Sequence, residues 1–199
     1  ADTAPGGNFG AFTTLRTANS VAQLGCGWTL VGHCEERMNL RAIMGESGAT
    51  ADQIEPAVNR ILNREVKAAQ AAGLKVLFCM GERSEEVDAR EQVLTAQVSE
   101  GLEGCDLENV RIAYEPVWSI GPGKTPADAP YIAKVARLVK SVVTGVDVVY
   151  GGGLKADNAK MLAGIEEIDG GLIALTRFSG EIGFYPEEYA QIVDLYLNA

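Results

Sequence analysis

The sequence is poor in several residue types on which common kinds of site depend. One histidine, His33, stands in 199 residues, which excludes a multi-histidine metal centre. The four cysteines, Cys26, Cys34, Cys79 and Cys105, form no C-x-x-C pair and no short metal spacing. They read as reduced thiols of a cytoplasmic protein, and no metal is expected. No apolar run approaches about 18 residues, and the opening Ala-Asp-Thr-Ala-Pro-Gly-Gly lacks a signal-peptide layout, so no membrane partner is expected. Basic residues are outnumbered 17 to 27, for a net charge of −10 without a basic cluster, which argues against nucleic acid as a partner. A small anionic substrate stays compatible with that charge, because local backbone dipoles can overcome the net field.

What is present is an ordinary globular composition, 47% hydrophobic and 22% charged, which excludes disorder and fibrous folds. The length favours one domain and suffices to bury roughly 70% of the unfolded surface. Short apolar runs at 28–31, 76–80, 110–114, 146–150 and 172–175 read as strands buried on both faces. Between them lie helical periodicities. Ile54, Val58, Ile61, Leu62, Val66 and Ala69 predict a helix over 52–72 that stops at Gly73. Ser84 would cap a second helix over 84–102, and others are expected at 128–143, 156–163 and 186–198, the last begun by Pro186 and two glutamates. Alternating strands and helices predict an α/β fold with a parallel sheet and right-handed crossovers, and glycine-rich residues 2–12 read as a loop.

In such folds the carboxyl ends of the strands form the binding face. His33 directly follows the run 28–31, with Glu35 two residues later. It is either a histidine hydrogen-bonded for structural reasons or an imidazole at the mouth of a site. A helix starting there would favour the neutral ring. Glu115 ends the run 110–114 beside Tyr114, Pro116 and Trp118, where desolvation would raise its pKa towards that of a useful general base. The alternative is a buried glutamate satisfied by an arginine. Residues 116–124 (PVWSIGPGK) have the make-up of a closing loop, whose glycines leave N–H groups open to a phosphate. Gly151, Gly152 and Gly153 permit close approach of an anion. Cys34 is either a reactive thiol or a small filler. Trp28 and Trp118 read as packing residues, and Glu46 as the partner of Arg41.

Residues 113–125 (AYEPVWSIGPGKT) resemble the base-and-lid motif of the triosephosphate isomerase family. Residues 31–37 are similar to that family's electrophile strand, 78–82 (FCMGE) to the strand after it, and Gly45, Glu46 and Ser47 to a helix entry. Segments 150–153 and 169–174 resemble its phosphate side. Gly10, Ala11, Phe12 and Thr13 resemble the loop by which one subunit grips its neighbour. The resemblance implies a TIM (β/α)8 barrel, a homodimer and a place in glycolysis and gluconeogenesis. It also implies interconversion of a ketose and an aldose phosphate, dihydroxyacetone phosphate and glyceraldehyde 3-phosphate, through an enediol without a cofactor. By position, Glu115 would be the base, His33 the neutral electrophile and Glu35 their support; this family is the standard illustration of that glutamate–histidine pairing. Gly121, Gly153, Ala174 and Leu175 would bind phosphate.

Departures from the pattern matter equally. A complete barrel has eight strands and about 250 residues, whereas this chain shows five runs and begins where the family's third strand ends. It is therefore expected to form a single domain over residues 1–199, an incomplete barrel lacking its first strands, with no residue matching the family's catalytic lysine. The family's serine after the paired glycines is Gly153 here, and its later glycine pair is Ala174 and Leu175. Arg177 could supply a phosphate contact or simply occupy the rim. Two alternatives follow: an isomerase for a different sugar phosphate, or a catalytically silent homologue.

Overall fold

A computed structural model of the chain describes residues 16–121, 124–177 and 179–199. Five short strands, β1 (Trp28–Val31), β2 (Lys75–Met80), β3 (Val110–Tyr114), β4 (Val148–Tyr150) and β5 (Gly170–Gly171), form one parallel sheet in chain order. A doubly wound sheet reverses its strand order at a switch point; here each strand is added beside the last in one direction. That winding is an arc of a TIM barrel.

The helices fall between the strands. α1 (Ala18–Gln23) precedes β1, while α2 (Cys34–Glu46) and α3 (Ala51–Ala71) follow it. α4 (Arg90–Gly101) follows β2, α5 (Ala129–Val142) follows β3, α6 (Ala159–Ala163) follows β4, and α7 (Pro186–Leu197) follows β5. Val58, Leu62 and Val66 of α3, Leu94 and Val98 of α4, and Ile132 and Val135 of α5 are buried with Val76, Phe78, Ile112 and Val148 of the strands. Cover on both faces explains why β2 and β3 read as continuous apolar runs rather than alternating ones. No helix among the described residues is long and apolar enough to cross a membrane.

Several expectations need correction. The last strand is Gly170–Gly171, not 172–175, because its partner β4 ends at Tyr150 and then turns away. Only Leu172 continues the pairing, donating to the Tyr150 carbonyl at 2.9 Å. β1 is not buried on both faces: it edges the sheet, with Trp28 46% and Leu30 53% exposed. The stretch 84–102 is divided into a 3-10 helix, Ser84–Ala89, and α4. Its start is capped by Glu86, whose carboxylate accepts the Arg83 N–H at 2.8 Å, and not by Ser84. Gly45 and Glu46 close α2 rather than opening a helix. Arg41 pairs with Glu55 through two bonds of 2.7 and 2.9 Å, not with Glu46. α2 carries little apolar periodicity; its one fully buried side chain is Arg37, and Met38 and Ile43 face solvent.

Candidate active site

Glu115 follows β3 and His33 follows β1, so both stand at the carboxyl edge of the sheet. Glu115 extends the ladder by one bond, its N–H donating to the Met80 carbonyl at 2.8 Å. Its position depends on two glycines. A Cβ on Gly81 would lie 1.7 Å from the Glu115 carbonyl oxygen, and one on Gly151 would lie 2.7 Å from Glu115 Cγ. The glycines after β4 thus admit a carboxylate side chain before any anion. Gly81 is held by buried Gln97, which accepts its N–H at 2.9 Å and donates to its carbonyl at 3.0 Å.

The Glu115 side chain is 97% buried yet well partnered. Oε2 accepts the Cys34 backbone N–H at 2.9 Å, at the first residue of α2, where unpaired N–H groups and the helix dipole favour an anion. The buried Cys79 thiol also favours the ionised form. Burial dominates and raises the Glu115 pKa above the ordinary 4.5; His33 and the N–H of Cys34 oppose it in that order. The alternative of an arginine partner is not what the structure shows: the direct partner of the carboxylate is the Cys34 backbone N–H, with His33 beside it. Arg37 acts at one remove, donating to the Gly32 carbonyl at 2.9 Å, the Cys79 carbonyl at 3.0 Å and Asn59 at 3.1 Å. It ties the ends of β1 and β2 together beneath the site, and burial pulls its pKa down to about 10.

His33 is the N-cap of α2. Its Nδ1 accepts the Glu35 backbone N–H at 3.4 Å, so in the neutral ring the proton belongs on Nε2. Nε2 lies 3.4 Å from Glu115 Oε1. The Glu35 carboxylate stands behind the ring, 3.9 Å from Nδ1, and is mostly exposed. A cavity of about 150 Å³, lined by Cys34, Glu35, Met38, Arg41, Arg83 and Glu115 among others, opens beside Glu115, and His33 is not part of its lining. That volume suits a ligand of a few atoms rather than one of drug size. Burial and the Glu115 carboxylate push the Cys34 thiol up to about 11, which weighs against the reactive-thiol reading.

The singly wound parallel sheet agrees with the comparisons. The sequence model of the family described as triosephosphate isomerase matches residues 2–192. The chain belongs to the triosephosphate isomerase family. It is 38% identical over 186 residues to a triosephosphate isomerase of Prosthecochloris aestuarii, covering 86% of this chain and 67% of that one. Against a triosephosphate isomerase of Chlorobium phaeobacteroides the identity is 39% over 176 residues, covering 82% of this chain and 64% of that one. The chain thus spans about two thirds of the length of these curated relatives. The crystal structure of triosephosphate isomerase from Bartonella henselae superposes with a TM-score of 0.69 at 26% identity, covering 96% of this chain and 72% of that one.

Other features of the triosephosphate isomerase pattern are placed less tightly. Residues 116–124 begin with a 3-10 turn, Val117–Ser119, rooted by Trp118 Nε1 donating to buried Glu82 at 2.7 Å. The same Glu82 oxygen accepts from the hydroxyls of Tyr114 at 3.0 Å and Tyr131 at 2.7 Å, which makes Trp118 an anchor. Gly121 is exposed in the loop beyond, and residues 122 and 123 lie outside the described residues. Gly153 sits after β4, its carbonyl accepting from Asn158 at 2.9 Å; Ala174 is exposed and Leu175 half-buried after β5. Arg177 is committed elsewhere: it bonds to Glu188 and stacks 3.8 Å from the Tyr185 ring centroid. Residues 2–12, and Gly10, Ala11, Phe12 and Thr13 with them, lie outside the described residues. The positions missed from the sequence are Arg37, Gly81 and Gln97, while Gly151 was singled out for an anion and instead makes room for Glu115. Gln97, a polar residue between Leu94 and Val98 on the apolar stripe of α4, carried a legible signal.

Proposed function

We propose that this chain catalyses the aldose–ketose isomerisation of dihydroxyacetone phosphate and glyceraldehyde 3-phosphate, and so belongs to glycolysis and gluconeogenesis. The observation that carries this reading is the 3.4 Å approach of Glu115 Oε1 to His33 Nε2, with the ring's other nitrogen occupied by the Glu35 N–H. A small substrate carbonyl that displaces this contact and lies against both groups meets Nε2–H as hydrogen-bond donor. The Glu115 carboxylate takes the proton from the adjacent carbon, the electrons of that C–H bond form the enediol carbon–carbon bond, and the carbonyl oxygen gains charge stabilised by Nε2–H. The hydroxyl proton on the first carbon passes to the former carbonyl oxygen, and return of the carbon-bound proton to the neighbouring carbon completes the exchange with no net redox change, so no cofactor is required.

Glu35 orients the imidazole, and the backbone N–H groups of Gly121, Gly153, Ala174 and Leu175 receive the phosphate. Side-chain substitutions leave backbone donors in place, which supports this assignment at Ala174 and Leu175. The four free cysteines fit a reducing compartment, the cytoplasm. A homodimer is supported by the likeness of residues 10–13 to the family's subunit-gripping loop, and sedimentation at micromolar concentration tests it. The reaction itself is tested by solvent-isotope exchange at the substrate α-carbon. Exchange that collapses in Glu115→Gln is the expected result; its absence in the unaltered chain overturns the reading in favour of a silent homologue. Faster turnover of tetrose or pentose phosphates than of triose phosphates would reassign the substrate.

A further inference from the structure

We infer that His33, Cys34 and Glu115 form a chelating site for a thiophilic divalent cation of the Zn²⁺ class, and that its occupancy shuts off the site. One donor atom from each residue lies within 4.8 Å of the others. His33 Nε2 is 3.4 Å from Glu115 Oε1 and 3.9 Å from Cys34 Sγ. Tetrahedral Zn²⁺ with bonds near 2.0–2.3 Å separates its ligands by about 3.4–3.7 Å. The Cys34 thiol stands 3.9 Å from both ring nitrogens, so binding requires the part-exposed imidazole to turn Nε2 towards the metal and the Cys34 side chain to close on it. The set combines a thiolate, an imidazole and a carboxylate, leaving a fourth position for water.

The chemistry of binding explains the shut-off. The cation displaces the Cys34 thiol proton to solvent, so one proton leaves for each ion bound and Sγ becomes a thiolate ligand; the two positive charges reverse the field that otherwise keeps this thiol protonated. The imidazole stays neutral, but its proton moves from Nε2 to Nδ1, freeing the Nε2 lone pair for the metal. Nδ1, now protonated, gives up the Glu35 backbone N–H it had accepted, and the Glu35 carboxylate, 3.9 Å away, is the acceptor it can turn to. Occupancy removes both groups that the isomerisation needs, the free Glu115 carboxylate and Nε2–H. The inhibitory part rests on the proposed function; the binding part does not. A net charge of −10 favours cation encounter.

Titration of the reduced full chain with Co²⁺, the spectroscopic stand-in for Zn²⁺, tests the site. One equivalent should give tetrahedral d–d bands and a thiolate-to-cobalt charge-transfer band, both displaced by Zn²⁺. The charge-transfer band should vanish in Cys34→Ser and Cys34→Ala and persist when Cys26 and Cys105 are both replaced by serine. No binding up to millimolar Co²⁺, or a band that survives both Cys34 substitutions, overturns the inference. Independently of any variant, saturating Zn²⁺ should slow alkylation of Cys34 at least tenfold while exposed Cys26 reacts unchanged; equal protection or none overturns it. In the isomerase assay Zn²⁺ should inhibit and EDTA restore, with a half-inhibiting concentration at least tenfold higher in Cys34→Ser, relative to that variant's own metal-free rate. Turnover without the cobalt signal strikes this site alone, and the signal without turnover strikes the proposed reaction alone.

Discussion

The two ends of the candidate site are built differently. At the β1–β3 end, Glu115 and Arg37 are buried and the central groups have directional partners: Glu115 on the N–H of Cys34, His33 on the N–H of Glu35, and Arg37 on two carbonyls and an amide. At the β4–β5 end the strands are three and two residues long, Ala174 is exposed, and the nearby cation Arg177 is already paired with Glu188. Proton transfer needs heavy atoms held to within a fraction of an ångström, and buried hydrogen bonds supply that rigidity. Holding a phosphate by backbone N–H groups requires only that a loop keep its path, which tolerates changes of side chain. The contrast predicts that substitutions at the first end act on kcat and those at the second on KM.

The most severe break in that contrast should come from Glu115→Gln, expected to lower kcat by about 10³-fold with the fold intact, measured by steady-state isomerisation and circular dichroism. Next is Gly81→Ala, whose Cβ would fall 1.7 Å from the Glu115 carbonyl oxygen. It should cost on the order of 3 kcal/mol in urea unfolding, together with most of the activity. Gly153→Ala meets nothing nearer than 3.5 Å but has φ +97°, so about 1 kcal/mol and a near-normal kcat are expected. Equal losses at the two glycines would erase the distinction between the ends. The smallest effect belongs to Leu175→Gly, expected to change kcat/KM by less than about tenfold with the change in KM.

A pH profile sharpens the comparison. Glu115 serves as base only when ionised, and burial raises its pKa above 4.5, so activity should rise with pH along an acid limb centred above that value. Cys79→Ala removes a thiol that favours the ionised form and should move the limb to still higher pH. The linked stability has the opposite sense. A carboxyl whose folded pKa is raised contributes its stability below 4.5 and loses it as pH rises through the raised value, so Glu115→Gln should lessen that decline in urea titrations.

The legible part of this protein was its local pattern. Continuous apolar runs placed β2 and β3, the spacing of Ile54, Val58, Leu62 and Val66 placed α3, and residues 113–125 carried the family. α2 was illegible because its buried residue is an arginine whose partners are carbonyls of other strands, so it has no apolar stripe to read. Residues 172–175 read as a strand by composition, whereas pairing depends on a partner, and β4 runs out at Tyr150.

The amino-acid order by itself determined the α/β alternation and the chemical types of the acid and the imidazole, because periodicity and side-chain chemistry are local properties. Only the tertiary structure decided that Glu115 and His33, 82 positions apart, come within 3.4 Å, that Gly81 and Gly151 make room for the carboxylate, and that Arg177 is spent on Glu188. Those are distances between distant parts of the chain, set by how strands are ordered and how closely backbones approach, and no window of neighbouring residues contains them.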